Sequence, residues 1–307
     1  MIKVAWKYLA RILTAVIAII FVMLIYAALV TRPMPIHSFT EPDKHLVIAH
    51  RGGAGLWPEN TILSFENAVK MGVDVLEFDV RSTQDHKLVV IHDITVDRTT
   101  NGFGSVEETT WEALQSLDAG YNWTRNGGSS FPYRGKGLQI PSLEEVINAF
   151  PNIPMIIELK SSSDTARTRF SRIIDESIFP ERKVIASFQS KNIKYIRTNN
   201  KMVATSSTAS EVLLFWILNS AGLGFAYIPK GETMQIPAKY FGLNLATSSF
   251  ISTAHRHNVD VYVWTVNGED DMRRYIANGA DGIITDYPDR LLKVLGRYSV
   301  ITKGGRL

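Results

Sequence analysis

The chain has 307 residues, no cysteine and 45% apolar residues. Its formal net charge of +3 matches the contribution of Lys3, Lys7 and Arg11, so everything after residue 11 is formally neutral. These figures exclude disulfides, thiolate metal sites and cysteine nucleophiles, and they offer no basic surface for nucleic acid.

The first element is an uncharged run from Ile12 to Thr31. As a helix it spans roughly 30 Å, the thickness of a bilayer core. It is longer than the apolar stretch of a cleaved leader and ends without a small-x-small site. The expectation is an uncleaved anchor over residues 1–31. The basic flank would stay in the cytoplasm, with the rest of the chain outside. Residues 32–45 hold three prolines and read as a stiff linker.

Beyond the linker, short β-branched runs alternate with helix-length segments. The runs are Leu46–His50, Val75–Val80, Pro154–Lys160, Lys183–Phe188, Met202–Thr205, Phe241–Leu245, Val259–Val266 and Gly282–Thr285. Eight such runs predict an α/β fold, a (β/α)₈ TIM barrel over residues 46–307. A ninth run, Leu88–His92, follows Val80 too closely for a parallel crossover and must return as a hairpin. A two-residue turn on Asp85-His86 would place His92 opposite Asp79. Residues 93–141 are too long for an ordinary loop. They read as an insertion over the barrel mouth, either a lid or substrate wall, or a small packed satellite. Ser142 with Glu145 forms a capping-box signature, and Thr110 is a second N-cap signal. The apolar run Val212–Ile228 reads as a buried barrel helix plus loop, with a lipid-touching patch as the sharper alternative.

The chemistry gathers at strand ends. Glu77 and Asp79 are two apart and share one face of a strand. His50 ends the first run, His92 follows on the hairpin, and Glu158 and Lys160 share a face on the next parallel strand. Three convergent carboxylates repel without a cation, and all-oxygen ligation favours Mg²⁺ or Ca²⁺. Arg51 and Lys160 supply charge suited to a phosphate. This inventory suits phosphoryl transfer, with one histidine taking a proton and the other giving one. Each residue also has a plainer reading: capping histidines, a Glu77/Asp79 ion pair with Arg51 or Arg81, a Glu158–Lys160 ion pair. Glu59 either reaches the metal shell or serves only in a first helical turn. Trp264 either walls the mouth or packs outward. His37, His45, His86, His255 and His257 read as surface or structural residues.

An ordered set of motifs sharpens the picture: His50-Arg51-Gly52, Pro58-Glu59-Asn60-Thr61, Glu77-Phe78-Asp79-Val80, His92-Asp93, Glu158-Leu159-Lys160, Val263-Trp264-Thr265-Val266-Asn267 and Asp281 to Asp286. In this order the chain resembles the glycerophosphodiester phosphodiesterases from residue 46 to about 290. The resemblance implies a TIM barrel that cleaves glycerophosphodiesters to glycerol 3-phosphate and an alcohol. It implies one divalent cation on Glu77, Asp79 and Glu158, and His50 with His92 as the acid–base pair. It also implies attack by the substrate's 2-hydroxyl, giving a cyclic phosphate that water opens. His86 stands where the family usually has glycine in the hairpin turn. Two rival functions are a lysophospholipase D acting on lysophospholipids and an inactive membrane-tethered binding protein.

Overall fold

The computed structural model describes residues 2–298 apart from 38, 40–43 and 241. Parts of the expected linker, Phe241 of one expected strand, the side chain of Lys3 and residues 299–307 therefore lie outside the described residues. Helix α1 (Ile2–Val30) comes first. The strands follow as β1 (Leu46–His50), β2 (Val75–Ser82), β3 (Leu88–Val90), β4 (Met155–Leu159), β5 (Lys183–Ala186), β6 (Ala204–Thr205), β7 (Thr233–Pro237), β8 (Lys239–Tyr240), β9 (Leu243–Asn244), β10 (Asp260–Trp264) and β11 (Gly282–Thr285). Eight of them pair in parallel in the order β6-β5-β4-β2-β1-β11-β10-β7. A bridge between Ser206 and Thr233 joins the two ends. The result is a nearly closed eight-stranded barrel with helices outside, as the alternating pattern predicts.

Alternation along the strands sorts the side chains. Val47, Leu76, Phe78, Val80, Ile157 and Leu159 face outward into the strand–helix core. Leu46, Ile48, Val75, Ile156, Val184, Tyr262 and Ile284 face inward and fill the lower barrel. Two residues further along the same strands the inward positions are His50, Glu77 and Glu158. A strand rises about 6.6 Å over two residues. An apolar plug therefore lies one layer below a polar mouth. Phe39 closes the plug from beneath, its ring 6.4 Å from that of Tyr262. Met34 and Phe39, before β1, are thus docked on the barrel. Met34 N donates to His257 O at 2.8 Å, and Asn258 Nδ2 donates to Met34 O at 2.9 Å.

Several expectations need correction. Of the strand expected at Phe241–Leu245, the described residues are not in the barrel: among the described residues Leu243–Asn244 pairs with Lys239–Tyr240 in a separate hairpin. The barrel position belongs to β7, whose sequence Thr-Met-Gln-Ile-Pro is short, weakly β-branched and ends in proline, so it carries little strand signal. The β2–β3 hairpin pairs Val80 with Val90 and Ser82 with Leu88. That is one residue off the expected register, and Ile91 N, not His92, bonds Asp79 O. The turn holds three residues, Gln84 to His86, with His86 at φ 63°. This is the αL position of a three-residue hairpin loop, which explains why a glycine is at home there. His92 still reaches the mouth because β3 stops at Val90 and the bent chain is freed from alternation.

The insertion is a packed satellite. Val96, Val106, Leu114, Ala119 and Ile140 pack with Val89 and Ile91, from β3 and just beyond it, in a cluster separate from the barrel core. Helix α2 (Ile62–Met71) is capped by Thr61, and α4 (Leu143–Ala149) carries the expected Ser142–Glu145 box. Helix α7 (Ala209–Ser220) is not buried as expected: Leu213, Leu214 and Ile217 are each about half exposed and only Phe215 is buried.

Below the barrel, Asp74 accepts from Val47 N at 2.8 Å and Arg297 at 2.7 Å, with Lys44 Nζ at 2.9 Å. Burial pushes the Asp74 carboxyl up. The Arg297 hydrogen bond, the Val47 amide and Lys44 outweigh it and hold it below its ordinary value. A carboxyl depressed on folding stabilises the fold above the unfolded value and loses that contribution as pH falls through the folded one. Asp74→Asn should therefore cost about 1–3 kcal/mol at pH 7. Urea titrations should show that gap closing below pH ~3.8. An unchanged midpoint at pH 7 would contradict the role given to Asp74.

Candidate active site

The site forms where the barrel strands end. The β1–β2 register sets His50 beside Glu77, and the β2–β4 register sets Asp79 beside Glu158. After β1 the chain turns through three left-handed residues, Arg51 (φ 51°), Gly52 (φ 79°) and Gly53 (φ 93°). A Cβ on Gly52 would lie 2.4 Å from Ser64 Oγ, so only glycine fits there. This turn aims the Arg51 amide at Glu77 Oε2, 3.0 Å away, and its guanidinium at the acids.

Charge is partly balanced by the chain itself. Lys160 Nζ sits between Asp79 Oδ1 (3.1 Å) and Glu158 Oε2 (2.9 Å). Arg51 Nε lies 3.3 Å from Asp79 Oδ2 without hydrogen-bond alignment. Asn60 Nδ2 donates to Asp79 Oδ2 at 3.3 Å, and Asn60 Oδ1 is buried without a partner. Glu77 fares worse. It is buried, and its nearest cationic side chain is His50, with Nε2 4.0 Å away. Burial pushes its carboxyl up to about 7; His50 opposes this, and the Asp79 charge adds to it. Asp79 goes the other way, because Lys160 and then Arg51 outweigh its burial.

Both histidines are held by carboxylates. His50 Nδ1 donates to Asp286 Oδ1 at 2.6 Å. Asn267 Nδ2 donates to Asp286 Oδ2 at 2.7 Å, and Asn267 Oδ1 accepts from the Asp286 amide and Thr285 Oγ1. His92 Nδ1 donates to Asp93 Oδ1 at 2.6 Å. Arg98 grips Asp93 through Nε at 2.6 Å and reaches Glu59 with both terminal nitrogens at 2.7 Å. Such partners fix the tautomer, with the proton on Nδ1 and Nε2 left to act. The two rings sit in unequal fields. Burial lowers the His50 pKa, but Glu77 and Asp286 more than offset it and leave it raised. Burial lowers that of His92, and Asp79 and Asp93 do not recover it. Unequal environments let one imidazole hold a proton while the other accepts one.

One cavity of about 790 Å³ collects His50, Arg51, Glu77, Asp79, His92, Glu158, Lys160 and Trp264. The volume is that of a small-molecule site. Trp264 faces the mouth, edge-on to Phe188 with ring centroids 6.3 Å apart. Glu59 stands apart from the other acids: it is taken by Arg98 and by Arg51 Nη1 at 3.0 Å, so it links guanidinium groups instead of joining the acids at the mouth. No residue of the insertion lines the cavity among the described residues. Instead it braces the rim through Arg98 and through Trp123 Nε1, which donates to Ala54 O at 3.0 Å. Sequence reasoning did not assign Asp286, Asp93, Arg98 or Asn267. Asp93 adjoins His92, and Asp286 and Asn267 close two of the motifs, but Arg98 carries no sequence signal. His257 is buried with Nε2 on Gly224 O at 2.8 Å, a structural role as expected.

The donor types suit a hard cation, with three carboxylates on the cavity wall. They do not form a closed cage. Among the described residues no three His, Asp or Glu side chains converge on one point, and Lys160 bridges two of the acids.

Residues 50–290 match the model of the glycerophosphoryl diester phosphodiesterase family. A glycerophosphodiester phosphodiesterase of Caldanaerobacter subterraneus subsp. tengcongensis is 34% identical over 269 residues, covering 85% of this chain and all of the relative. The mouse lysophospholipase D GDPD1 is 28% identical over 278 residues, covering 82% of this chain and 86% of the relative. In fold, the crystal structure of a glycerophosphoryl diester phosphodiesterase domain from Mycobacterium tuberculosis superposes with a TM-score of 0.73 at 22% identity, over 83% of this chain and 100% of that one. Sequence and barrel agree: this chain belongs to the glycerophosphoryl diester phosphodiesterase family and is an enzyme of that class.

Proposed function

We propose that the mouth cavity hydrolyses glycerophosphodiesters to glycerol 3-phosphate and an alcohol through a His50/His92 acid–base pair. The observation that carries this reading is the meeting of two carboxylate-held imidazoles, three acids and two cations in one cavity. Arg51 and Lys160 bind phosphate oxygens and orient the diester. Glu77, Asp79 and Glu158 would hold one divalent cation, Mg²⁺ or Ca²⁺, which supplies charge stabilisation at the phosphoryl oxygens when bound. Burial of Glu77 with so little cationic support favours that assignment. In the first step one imidazole takes the proton of the substrate's 2-hydroxyl while the other gives its proton to the departing alkoxide as the phosphorus–oxygen bond breaks. In the second the roles exchange. The now neutral ring takes the proton of the attacking water, and the protonated ring returns its proton to the 2-oxygen as the cyclic phosphate opens. Trp264 forms a wall against the substrate.

A second reading has one specific observation behind it. Part of the cavity wall is apolar, with Phe188, Leu213, Trp216, Pro237, Leu243 and Leu245. A deacylated diester has no use for that wall, whereas the acyl chain of a lysophospholipid does. The lysophospholipase D relative is consistent with it. Helix α1 contains a stretch, Trp6–Ala27, long and apolar enough to cross a bilayer. We read it as a single span, with Lys3, Lys7 and Arg11 cytoplasmic and the barrel on the outer side.

His50→Ala, His92→Ala and Glu77→Ala should each lower glycerol 3-phosphate release by about 10²-fold or more with the thermal midpoint largely kept. Near wild-type turnover in any of them would contradict the assignment. Asp286→Asn removes the charge but keeps the shape. It should cut kcat by about 10-fold or more. It should also move the His50 limb of the pH–rate profile to lower pH, because Asp286 raises the pKa of that ring. An unmoved profile would reduce Asp286 to a structural role.

A further inference from the structure

The outer face of α7 has no protein partner chemistry of the usual kind. From Val212 to Pro229 no residue is charged. Leu214 and Ile217 on the helix are 52% and 50% exposed, and Phe225 and Ile228 beyond it are 47% and 53% exposed. The segment after the helix folds back onto it, with the Tyr227 ring 4.9 Å from that of Phe215. These side chains thus belong to one surface. A surface helix of a globular protein turns charged or polar residues outward. Helices α5 (Asp164–Glu176) and α9 (Glu269–Ala277) do so, whereas α7 does not. A contiguous apolar face of this kind marks an interaction site.

The placement of α1 says what covers it. The anchor helix packs against Gly224–Ala226, the turn that continues α7. It ends at Val30, and Met34 is already bonded to His257 and Asn258. Four residues span at most about 14 Å. The point where the chain leaves the bilayer is therefore pinned beside the C-terminal end of α7. The same helix lines the catalytic cavity with Val212, Leu213 and Trp216, on the side adjoining the exposed Leu214 and Ile217. Exposed Lys230 follows the apolar segment directly, where a lipid headgroup would meet it.

We infer that the outer face of α7, with Phe225 and Ile228, is a membrane-contact surface that beds into the interfacial layer of the bilayer crossed by α1. The inference rests on the reading of α1 as a span. Its occupant is lipid, and its consequence is that the apolar end of the catalytic cavity lies next to the membrane. Anchor and surface act together: the anchor sets the location, and the surface sets the orientation of the barrel.

The absence of cysteine makes the test direct. Full-length Ile217→Cys, Ile20→Cys and Glu112→Cys would each carry one environment-sensitive fluorophore. They would be reconstituted in phosphatidylcholine vesicles, with retained activity on glycerophosphocholine showing a correct fold. The Ile217 and Ile20 labels should lose most of their emission to quencher-bearing phosphatidylcholine and resist aqueous iodide. The Glu112 label, on the insertion, should do the reverse. An Ile217 label open to iodide and untouched by lipid quencher overturns the surface, even if the Ile20 label lies in lipid. An Ile217 label shielded from both quenchers, with Ile217→Cys protomers cross-linking to each other, also overturns it by assigning the face to a second copy. An Ile20 label open to iodide fails the anchor reading separately.

Discussion

Three carboxylates gathered at the end of an apolar barrel form the constraint around which the rest of the mouth is arranged. Glu77 and Glu158 project one layer above a plug of Ile48, Val75, Ile156 and Tyr262, and Asp79 lies one inward step beyond Glu77 on the same strand. Their spacing is fixed by strand register, so the chain cannot relieve their repulsion by moving them apart. It relieves it with charge. Lys160 directly follows the strand that carries Glu158, and Arg51 comes from a left-handed turn that glycines at 52 and 53 make possible. That compensation is uneven: Asp79 has two cationic partners and Glu77 has little beyond an amide and a nearby imidazole. Buried negative charge in that condition calls for a further cation or a proton.

The supporting shell shows how a mouth of this kind is kept rigid. Each histidine is oriented by its own carboxylate, and each carboxylate is oriented in turn, Asp286 by Asn267 and Asp93 by Arg98. Arg98 also grips Glu59, which binds Arg51. The insertion therefore reaches the chemistry through Asp93 and Arg98, although none of its described residues lines the cavity. A packed satellite can fix a side chain more firmly than a bare loop could.

The fold was legible in the sequence wherever burial imposed a pattern. Strands β1 and β11 lie where their apolar runs predict them, because both faces of a parallel barrel strand are buried. The signal failed at β7, where Gln235 and Pro237 face the cavity instead of a core, so the polarity of the site erased the strand pattern. The run beginning at Phe241 carries a more conspicuous strand signal, yet its Leu243–Asn244 stretch pairs in the β8–β9 hairpin. The hairpin register slipped by one because His86 takes a backbone conformation that its side chain does not advertise. In the site, the residues that meet substrate chemistry are strand-end acids and histidines with fixed spacing, which a sequence displays. Arg98 and the guanidinium link through Glu59 depend on where a loop folds back, which spacing along the chain does not encode.

Direct titration of the purified full-length protein with Mg²⁺ and with Ca²⁺, followed by calorimetry, tests the charge argument at its centre. One equivalent of one of these ions should bind to the wild-type protein, and Glu77→Gln should lose that binding while keeping its thermal midpoint. Binding of neither ion, or equal binding by wild type and Glu77→Gln, would contradict the account.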